Sequence, residues 1–229
     1  MKIKAFTLAE VLITLGIIGV IAAFTIPTLL ANYKKEQTVV QLKKAYSELS
    51  QAAQLSVAQN GDIKNWDYTL SSNKFFNKYF LDFIKIDTQS LYNVYQKGIT
   101  YKSLNGKIER NYTPLHNSAQ IVTLASGTQI FLDSTPIKTT LYRKTLLIDL
   151  NGFKGPNKFG VDVFVFGITP DGVLPHQWDD GEPYNIRRDR NALRGGSGQN
   201  YRCHKSGRGM WCAALIMKDG WKIKSDYPW

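Results

Sequence analysis

Apolar and polar positions divide the chain into an apolar beginning and a polar remainder. Val11–Leu30 is a run of twenty residues without a charged side chain. As a helix it would be about 30 Å long, which matches the hydrocarbon core of a bilayer. No other stretch of the 229-residue chain comes close to that length. The pattern therefore predicts one membrane anchor followed by one polar domain.

A helical period continues beyond the anchor as far as Asn60. Apolar residues recur there at three- and four-residue steps, at Val39, Leu42, Tyr46, Leu49, Ala53 and Val57. This spacing predicts that residues 32–60 form an amphipathic helix that packs on a sheet and ends at Asn60-Gly61. Pro27 cannot donate a main-chain hydrogen bond, so we expect the helix to bend or loosen there.

Shorter elements are predicted in the rest of the chain. Helical spacing of aromatic residues predicts a second helix at Asn73–Ile86, and polar residues with Gly and Asn predict loops with short strands over 97–118. Ser126-Gly127 separates two strand-like runs and predicts a hairpin. A short helix at Trp211–Lys218 is expected to end at Asp219-Gly220. The predicted strands, which form an antiparallel sheet of about four or five strands, are Gln120–Leu124, Thr128–Asp133, Thr145–Leu150, Val161–Ile168 and Val173-Leu174.

A single carboxylate, Glu10, lies near the start of the apolar region and complicates each simple interpretation. A secretory signal peptide begins with a basic segment, as Met1–Lys4 does, but its apolar core covers only about 7–15 residues and ends at a small-residue cleavage site. The apolar core of this chain is longer, and no such site follows it. An ordinary signal anchor fits the length but leaves Glu10 unexplained, because a carboxylate in lipid normally has a partner.

The segment Lys4-Ala5-Phe6-Thr7-Leu8-Ala9-Glu10, followed by an apolar helix, resembles the class III leader of type IV pilins and type II secretion pseudopilins. In that family a prepilin peptidase cleaves just before the Phe on the cytoplasmic side of the membrane and methylates the new amine. The resemblance implies cleavage between Ala5 and Phe6. The residue before the cleavage site is usually Gly in the family, whereas here it is Ala5. Gly19 and Pro27 fall where family members often carry a helix-loosening glycine and proline.

The resemblance implies an α+β fold in four parts. Residues 1–5 would be the leader peptide, 6–31 the transmembrane half of a long N-terminal helix and 32–60 its amphipathic half. Residues 61–229 would complete a globular domain in which the helix packs on an antiparallel β-sheet.

The resemblance also predicts the location of the protein. Family members stay in the bacterial inner membrane until they enter a filament, so we expect a single-pass protein with a cytoplasmic N-terminus. Its C-terminal domain would then be periplasmic or extracellular. The lysines that follow the span favour the opposite orientation by the positive-inside rule, but long domains translocate largely regardless of charge. The leader decides the orientation, because its cleavage site must lie in the cytoplasm.

Glu10 has a role in assembly if the resemblance holds. Cleavage would leave a cationic amine on Phe6, and in the family's filaments the glutamate is thought to neutralise that amine in a neighbouring subunit. Burying either charge alone is costly, so the pair would favour one axial offset between helices, and repetition of the contact builds a helical fibre. The other interpretation places Glu10 at the lipid headgroups. The expected partners are the prepilin peptidase, other pilin or pseudopilin subunits and inner-membrane lipid.

Two cysteines, Cys203 and Cys212, enclose eight residues near the end of the chain. In an oxidising exterior, cysteines this close most simply form one disulfide, and pilins often crosslink their C-terminal region in this way. Free thiols or a metal-binding pair are the alternatives, although neither a C-x-x-C motif nor a histidine cluster accompanies these residues.

Positive charge is concentrated in the same region. The formal net charge is +11, and residues 187–208 hold seven Lys or Arg against one Asp. The basic residues are Arg187, Arg188, Arg190, Arg194, Arg202, Lys205 and Arg208. In one hypothesis the protein is a structural subunit, a minor pilin or pseudopilin, and these side chains are solvated or contact acidic neighbours. In the other it is a DNA-binding component of a competence or DNA-uptake pilus, and they hold phosphates of nucleic acid.

No set of catalytic residues can be named from the sequence. The histidines His116, His176 and His204 lie far apart, and no phosphate loop, nucleophile elbow or zinc spacing is present. We therefore expect neither an enzyme nor a cofactor. Asp149-Leu150-Asn151-Gly152 resembles the start of a calcium loop, but it lacks the third ligand and the closing Glu, and a turn at the end of a strand is the simpler prediction. A second acidic cluster consists of Asp179, Asp180 and Glu182.

Overall fold

The computed structural model describes residues 7–92, 98–109, 115, 119–132, 144–179, 182–195 and 200–229, with the side chains of 90–92 and 119 excepted. It contains two compact units, Met1–Gln37 and Thr38–Trp229. Four α-helices and six β-strands are defined in the described part of the chain.

The first helix, α1, spans Leu8–Asn60 and includes Pro27. The predicted long N-terminal helix is therefore confirmed, whereas the bend at Pro27 stays a prediction. The helix ends where its sequence indicates. Gly61 has a φ of 77°, a left-handed conformation that suits glycine, and its N–H donates to the carbonyl of Val57 at 2.9 Å.

Within the second unit, α1 buries one face on the domain core. Its buried residues are Leu42, Ala45, Leu49, Ala52, Ala53 and Ser56. Tyr46 is half-buried and stacks on Phe166, with ring centroids 5.7 Å apart. The predicted face is confirmed except at Val57, which is 36% exposed. Small residues belong to this buried face because they let a helix approach its neighbours closely. A pattern of large apolar residues does not predict which small residues are buried.

The second predicted helix is shorter than expected. Helix α2 spans only Ser72–Tyr79, a 3-10 turn covers Leu81–Phe83, and strand β1 begins at Ile86. The prediction was wrong at its C-terminal end because the apolar residues there fit a strand as well as a helix. Pairing with β2 begins at Ile86, which lies opposite Leu124, and the register is irregular between Ile86 and Thr88.

The sheet is antiparallel and has six strands in the order of the chain. They are β1 (Ile86–Tyr92), β2 (Ala119–Leu124), β3 (Gln129–Leu132), β4 (Lys144–Asp149), β5 (Val163–Thr169) and β6 (Gly172–Pro175). The hairpin around Ser126-Gly127 is confirmed, with Thr123 opposite Gln129 and Gly127 at a φ of 82°. The strands predicted near β4, β5 and β6 are also confirmed. The sixth strand is β1, which the sequence pattern does not predict; the predicted helix overlaps only its first residue, Ile86.

The C-terminal region adds helix α3 (Arg190–Gly195) and helix α4 (Cys212–Lys218). The short helix predicted at Trp211–Lys218 is thus confirmed to within one residue. Its residues 212–216 are buried, and Trp211 beside it is 1% exposed. The layout is an α+β arrangement of a long N-terminal apolar helix, an antiparallel sheet and one disulfide.

Candidate functional site

The first part of α1 exposes its apolar side chains. It contains a stretch long and apolar enough to cross a membrane, and none of that stretch is buried in the protein. Leu8, Phe24 and Leu29 are 79%, 77% and 69% exposed. A soluble protein buries such residues because exposing them to water is unfavourable. The N-terminal segment is therefore a candidate single membrane span, as the sequence predicts.

Glu10 lies in the first turn of α1, and its carboxylate has a partner in its own chain. The N–H and the hydroxyl of Thr7 both donate to Glu10 Oε2 at 2.8 Å, and the N–H of Glu10 donates back to the Thr7 hydroxyl at 3.3 Å. This reciprocal arrangement is a capping box, which satisfies N–H groups that the first turn of a helix leaves unpaired. The sequence analysis missed this role, although Thr7-x-x-Glu10 is its recognisable signature. The predicted cleavage site, Ala5 and Phe6, lies outside the described residues.

Most basic residues of the 187–208 stretch bind groups of their own chain. Arg188 is the first of them. Its guanidinium donates to Asp179 at 3.0 Å and to Glu182 at 2.5 Å, and its Nε donates to the carbonyl of Gln177 at 2.7 Å. The group also lies over the ring of Trp211, 4.4 Å from the ring centroid. Two residues of the acidic cluster predicted from the sequence are thus partners of an arginine, while Asp180 lies outside the described residues.

Arg190 and Arg194 bind the last residues of the chain. Arg190 forms a fork with both oxygens of Asp219 and a second fork with Asp226, and Arg194 reaches Asp226 at 3.1 Å. Burial would raise the pKa of Asp219, but hydrogen bonds from Arg190 and Lys224 hold it below its ordinary value. Hydrogen bonding from Arg190 also lowers the pKa of Asp226. These pairs join α3 to the segment that follows α4.

Arg208 pairs with Glu109, which lies 99 residues earlier in the chain. Its Nε donates to Glu109 Oε1 at 2.9 Å and its Nη2 to Oε2 at 2.5 Å. The Ser103 hydroxyl also donates to this carboxylate, which is nearly buried. Arg208 further lies over the ring of Tyr201, 5.0 Å from its centroid. No local sequence signal connects these residues.

Three members of the basic stretch have no close carboxylate partner among the described residues. Arg187 comes within 3.8 Å of Asp171, and both side chains are half-exposed. Arg202 has a 3.5 Å contact with the hydroxyl of Ser206, and Lys205 is exposed. The structure therefore separates the seven basic residues into four that neutralise carboxylates of the same chain at close range and three that do not.

The predicted disulfide between Cys203 and Cys212 is present, with a Cα–Cα distance of 4.7 Å. It connects the turn after α3 to the first residue of α4. The N–H of Cys203 donates to the carbonyl of Leu193 at 2.8 Å, and both cysteines are fully buried. The crosslink and the Arg190 forks therefore hold α3, α4 and the chain end together.

The turn considered for calcium contains buried carboxylates. Asp149 accepts hydrogen bonds from the Tyr101 hydroxyl at 2.7 Å and from the N–H of Asn151 at 3.3 Å, and Asp162 accepts from the N–H groups of Asn157 and Lys158. Burial raises the pKa of Asp149 to about 8. These groups fix a turn, and Gly152 in it has a φ of 65°. Among the described residues, no group of three His, Cys, Asp or Glu side chains is arranged to hold a metal ion.

The described parts of the structure define an α+β protein with one candidate membrane span. A family model described as a family of unknown function (DUF6613) matches residues 28–229. The chain belongs to that family. Neither the curated proteins nor the solved structures include a significant match to it.

Proposed function

We propose that this chain is a type IV pilin-like structural subunit, either a minor pilin or a pseudopilin. It would be processed by a prepilin peptidase, held in the inner membrane and assembled into a pilus or pseudopilus. The observation that carries the proposal is α1 itself. One helix combines an exposed apolar stretch of bilayer length with a later stretch whose apolar face packs in an α+β domain.

The position of Glu10 supports this proposal. A capping box needs an oxygen acceptor but no charge, since Gln serves at this position as well as Glu. An ionised carboxylate in an otherwise apolar segment is costly unless it has a cationic partner. The amine of a processed Phe6 in a neighbouring subunit would supply that partner. In this proposal Glu10 caps its own helix in the free subunit and neutralises the neighbour's amine in the filament.

The packing of the arginines also favours a structural role. Arg188, Arg190, Arg194 and Arg208 neutralise carboxylates of their own chain. Their charges stabilise the fold, so the 187–208 stretch offers fewer free cations to an external partner than its composition indicates. The orientation that the leader implies would place this domain outside the inner membrane, where Cys203 and Cys212 can become oxidised.

The decisive experiment concerns processing at the Ala5–Phe6 bond. The full chain is expressed in bacterial membranes with an active prepilin peptidase or, as the control, with an inactive peptidase. Intact-mass analysis should show loss of Met1–Ala5 and gain of one methyl group only with the active enzyme. Ala5→Gly should speed the cleavage if alanine limits it. A product that retains Met1 under both conditions, or one cleaved near Ala22, would refute the class III assignment.

A further inference from the structure

Four lysines from three separate segments meet on one surface of the domain. They are Lys102, Lys107, Lys158 and Lys205, and together they are called the lysine surface here. Lys102, Lys107 and Lys205 are exposed and Lys158 is half-exposed. Only Lys205 belongs to the basic 187–208 stretch, so this surface is distinct from the cluster that the sequence indicates.

Lys102 and Lys158 are directly opposite each other on neighbouring extended segments. The N–H of Lys102 donates to the carbonyl of Asn157, and the N–H of Phe159 donates to the carbonyl of Lys102, both at 2.9 Å. Residues paired in this way project to the same face. Ile108, the partner of Lys102 on its other side, shares that face and is 46% exposed.

Hydrogen bonds bring Lys107 and Lys205 to the neighbouring turn. The N–H of Lys107 donates to the side-chain oxygen of Asn105 at 3.1 Å. Asn105 in turn donates from its side chain to the carbonyl of Ser206 at 3.3 Å and from its main chain to Gly207 at 3.0 Å. Lys205 directly precedes Ser206. Main-chain hydrogen bonds and the Asn105 side chain therefore hold the segments of the lysine surface together, although these segments lie far apart in sequence.

The positive charges of this surface are not compensated within the described part of the chain. No carboxylate there lies within 4.0 Å of any of the four ammonium groups. The two nearest acidic residues along these segments are already engaged, Glu109 by Arg208 and Asp162 by main-chain N–H groups. Like charges directly opposite each other in a sheet are destabilising. The uncompensated lysine pair therefore indicates an anionic partner.

We propose that the lysine surface binds the phosphate backbone of duplex nucleic acid without reading its sequence. The arginines Arg188, Arg190, Arg194 and Arg208 bind carboxylates of the chain itself, whereas the four cations of this surface are lysines, which bind phosphate as point charges. Tyr101 and Phe159, the aromatic residues directly beside Lys102 and Lys158, are fully buried. They cannot stack on bases, which favours a duplex over a single strand. This inference does not depend on the pilin-like function.

The test measures binding of a short labelled DNA duplex of mixed sequence to the full chain in zwitterionic detergent. Affinity should fall with salt, with a log–log slope of about −0.9 for each phosphate neutralised. Replacement of the four lysines by Gln should flatten the slope by up to about 3.6 units, and replacement by Arg should restore it. The matched control replaces Lys43, Lys74, Lys85 and Lys222, which are exposed and have no carboxylate partner within 4.0 Å in the described residues. It should leave the slope nearly unchanged.

Several results would overturn the proposal. Absence of duplex binding at low ionic strength would do so, because screening is weakest there. Equal loss in the two fourfold variants would assign binding to net charge instead of this surface. Preference for single strands, or binding of anionic phosphatidylserine vesicles in place of duplex with the same lysine dependence, would assign the surface to another partner. Normal processing at Phe6 together with any of these results would leave the structural-subunit proposal intact.

Discussion

Arg190 binds Asp219 through two parallel hydrogen bonds, one from Nε at 2.7 Å and one from Nη2 at 3.0 Å. The Asp219 side chain is 3% exposed and also accepts from Lys224 at 2.7 Å. Two-point binding of a carboxylate by a guanidinium is geometrically specific and stronger than a neutral hydrogen bond. This pair therefore fixes α3 against the end of α4.

Asp219→Asn should destabilise the domain by about 1–3 kcal/mol, because Arg190 and Lys224 would lose a charged acceptor. Thermal unfolding of the full chain in detergent, followed by tryptophan fluorescence, measures the effect. Asp87→Asn is the matched control, since Asp87 is exposed on β1. The loss of stability should become smaller as pH falls. The pKa of Asp219 is lower in the folded chain than its ordinary value, so the ionised carboxylate stabilises the fold above that ordinary pKa, and this contribution disappears in acid. Equal stability of the two variants at neutral pH would contradict the prediction.

Glu10→Gln separates the two roles of this residue. Gln preserves the acceptor that caps α1 but removes the charge. If the carboxylate neutralises a neighbour's amine, Gln and Ala should both reduce incorporation into sheared, pelleted filaments, while membrane insertion and domain folding stay normal. Wild-type incorporation of the Gln variant with failure of Glu10→Ala would assign Glu10 to the cap alone. Wild-type incorporation of both would leave it without a role in assembly.

Removal of the disulfide by the double change Cys203→Ser and Cys212→Ser should cost up to about 2–3 kcal/mol, because the bond restricts the unfolded chain and the loop that it closes is short. Chemical unfolding of the full chain in detergent measures the difference. The wild-type chain treated with a reducing agent provides the control and should show a similar loss. Unchanged stability in both samples would mean that the Arg190 forks alone are sufficient to hold this region.

The titration of Asp149 should make the domain less stable as the pH rises from about 4 to about 8. Its pKa is about 8 in the folded chain against an ordinary value of 3.8, so the folded state retains a proton that the unfolded state releases over this range. The slope should be at most about 1.4 kcal/mol per pH unit. Asp149→Asn should flatten the dependence and raise stability at pH 8, whereas Asp82→Asn at an exposed site should do neither. A variant as pH-sensitive as the wild type would contradict this assignment.

Features governed by local sequence were predictable. The length of α1, the hairpin around Ser126-Gly127 and the short disulfide loop follow from periodicity, turn residues and proximity along the chain. The boundary between α2 and β1 was not predictable, because the apolar residues up to Ile86 fit both periods and only the pairing with β2, which begins at Ile86, decides between them. The Arg208–Glu109 pair and the Lys102–Lys158 neighbours depend on tertiary structure. For the same reason, the sequence does not show which basic residues of the 187–208 stretch have carboxylate partners.

The order of the strands has a consequence for how the domain forms. Each strand pairs with its neighbour along the chain, and pairing of neighbouring strands closes shorter loops than pairing of distant ones would. Arg208 reaches Glu109 across 99 residues and Lys144 reaches the carbonyl of Leu70 across 74. When the chain emerges N-terminus first, the sheet can assemble before residue 208 arrives, whereas Glu109 gains its arginine partner only at the end. Completion of the native domain therefore waits for the last part of the chain, which supplies both the partner of Glu109 and the buried residues of α4.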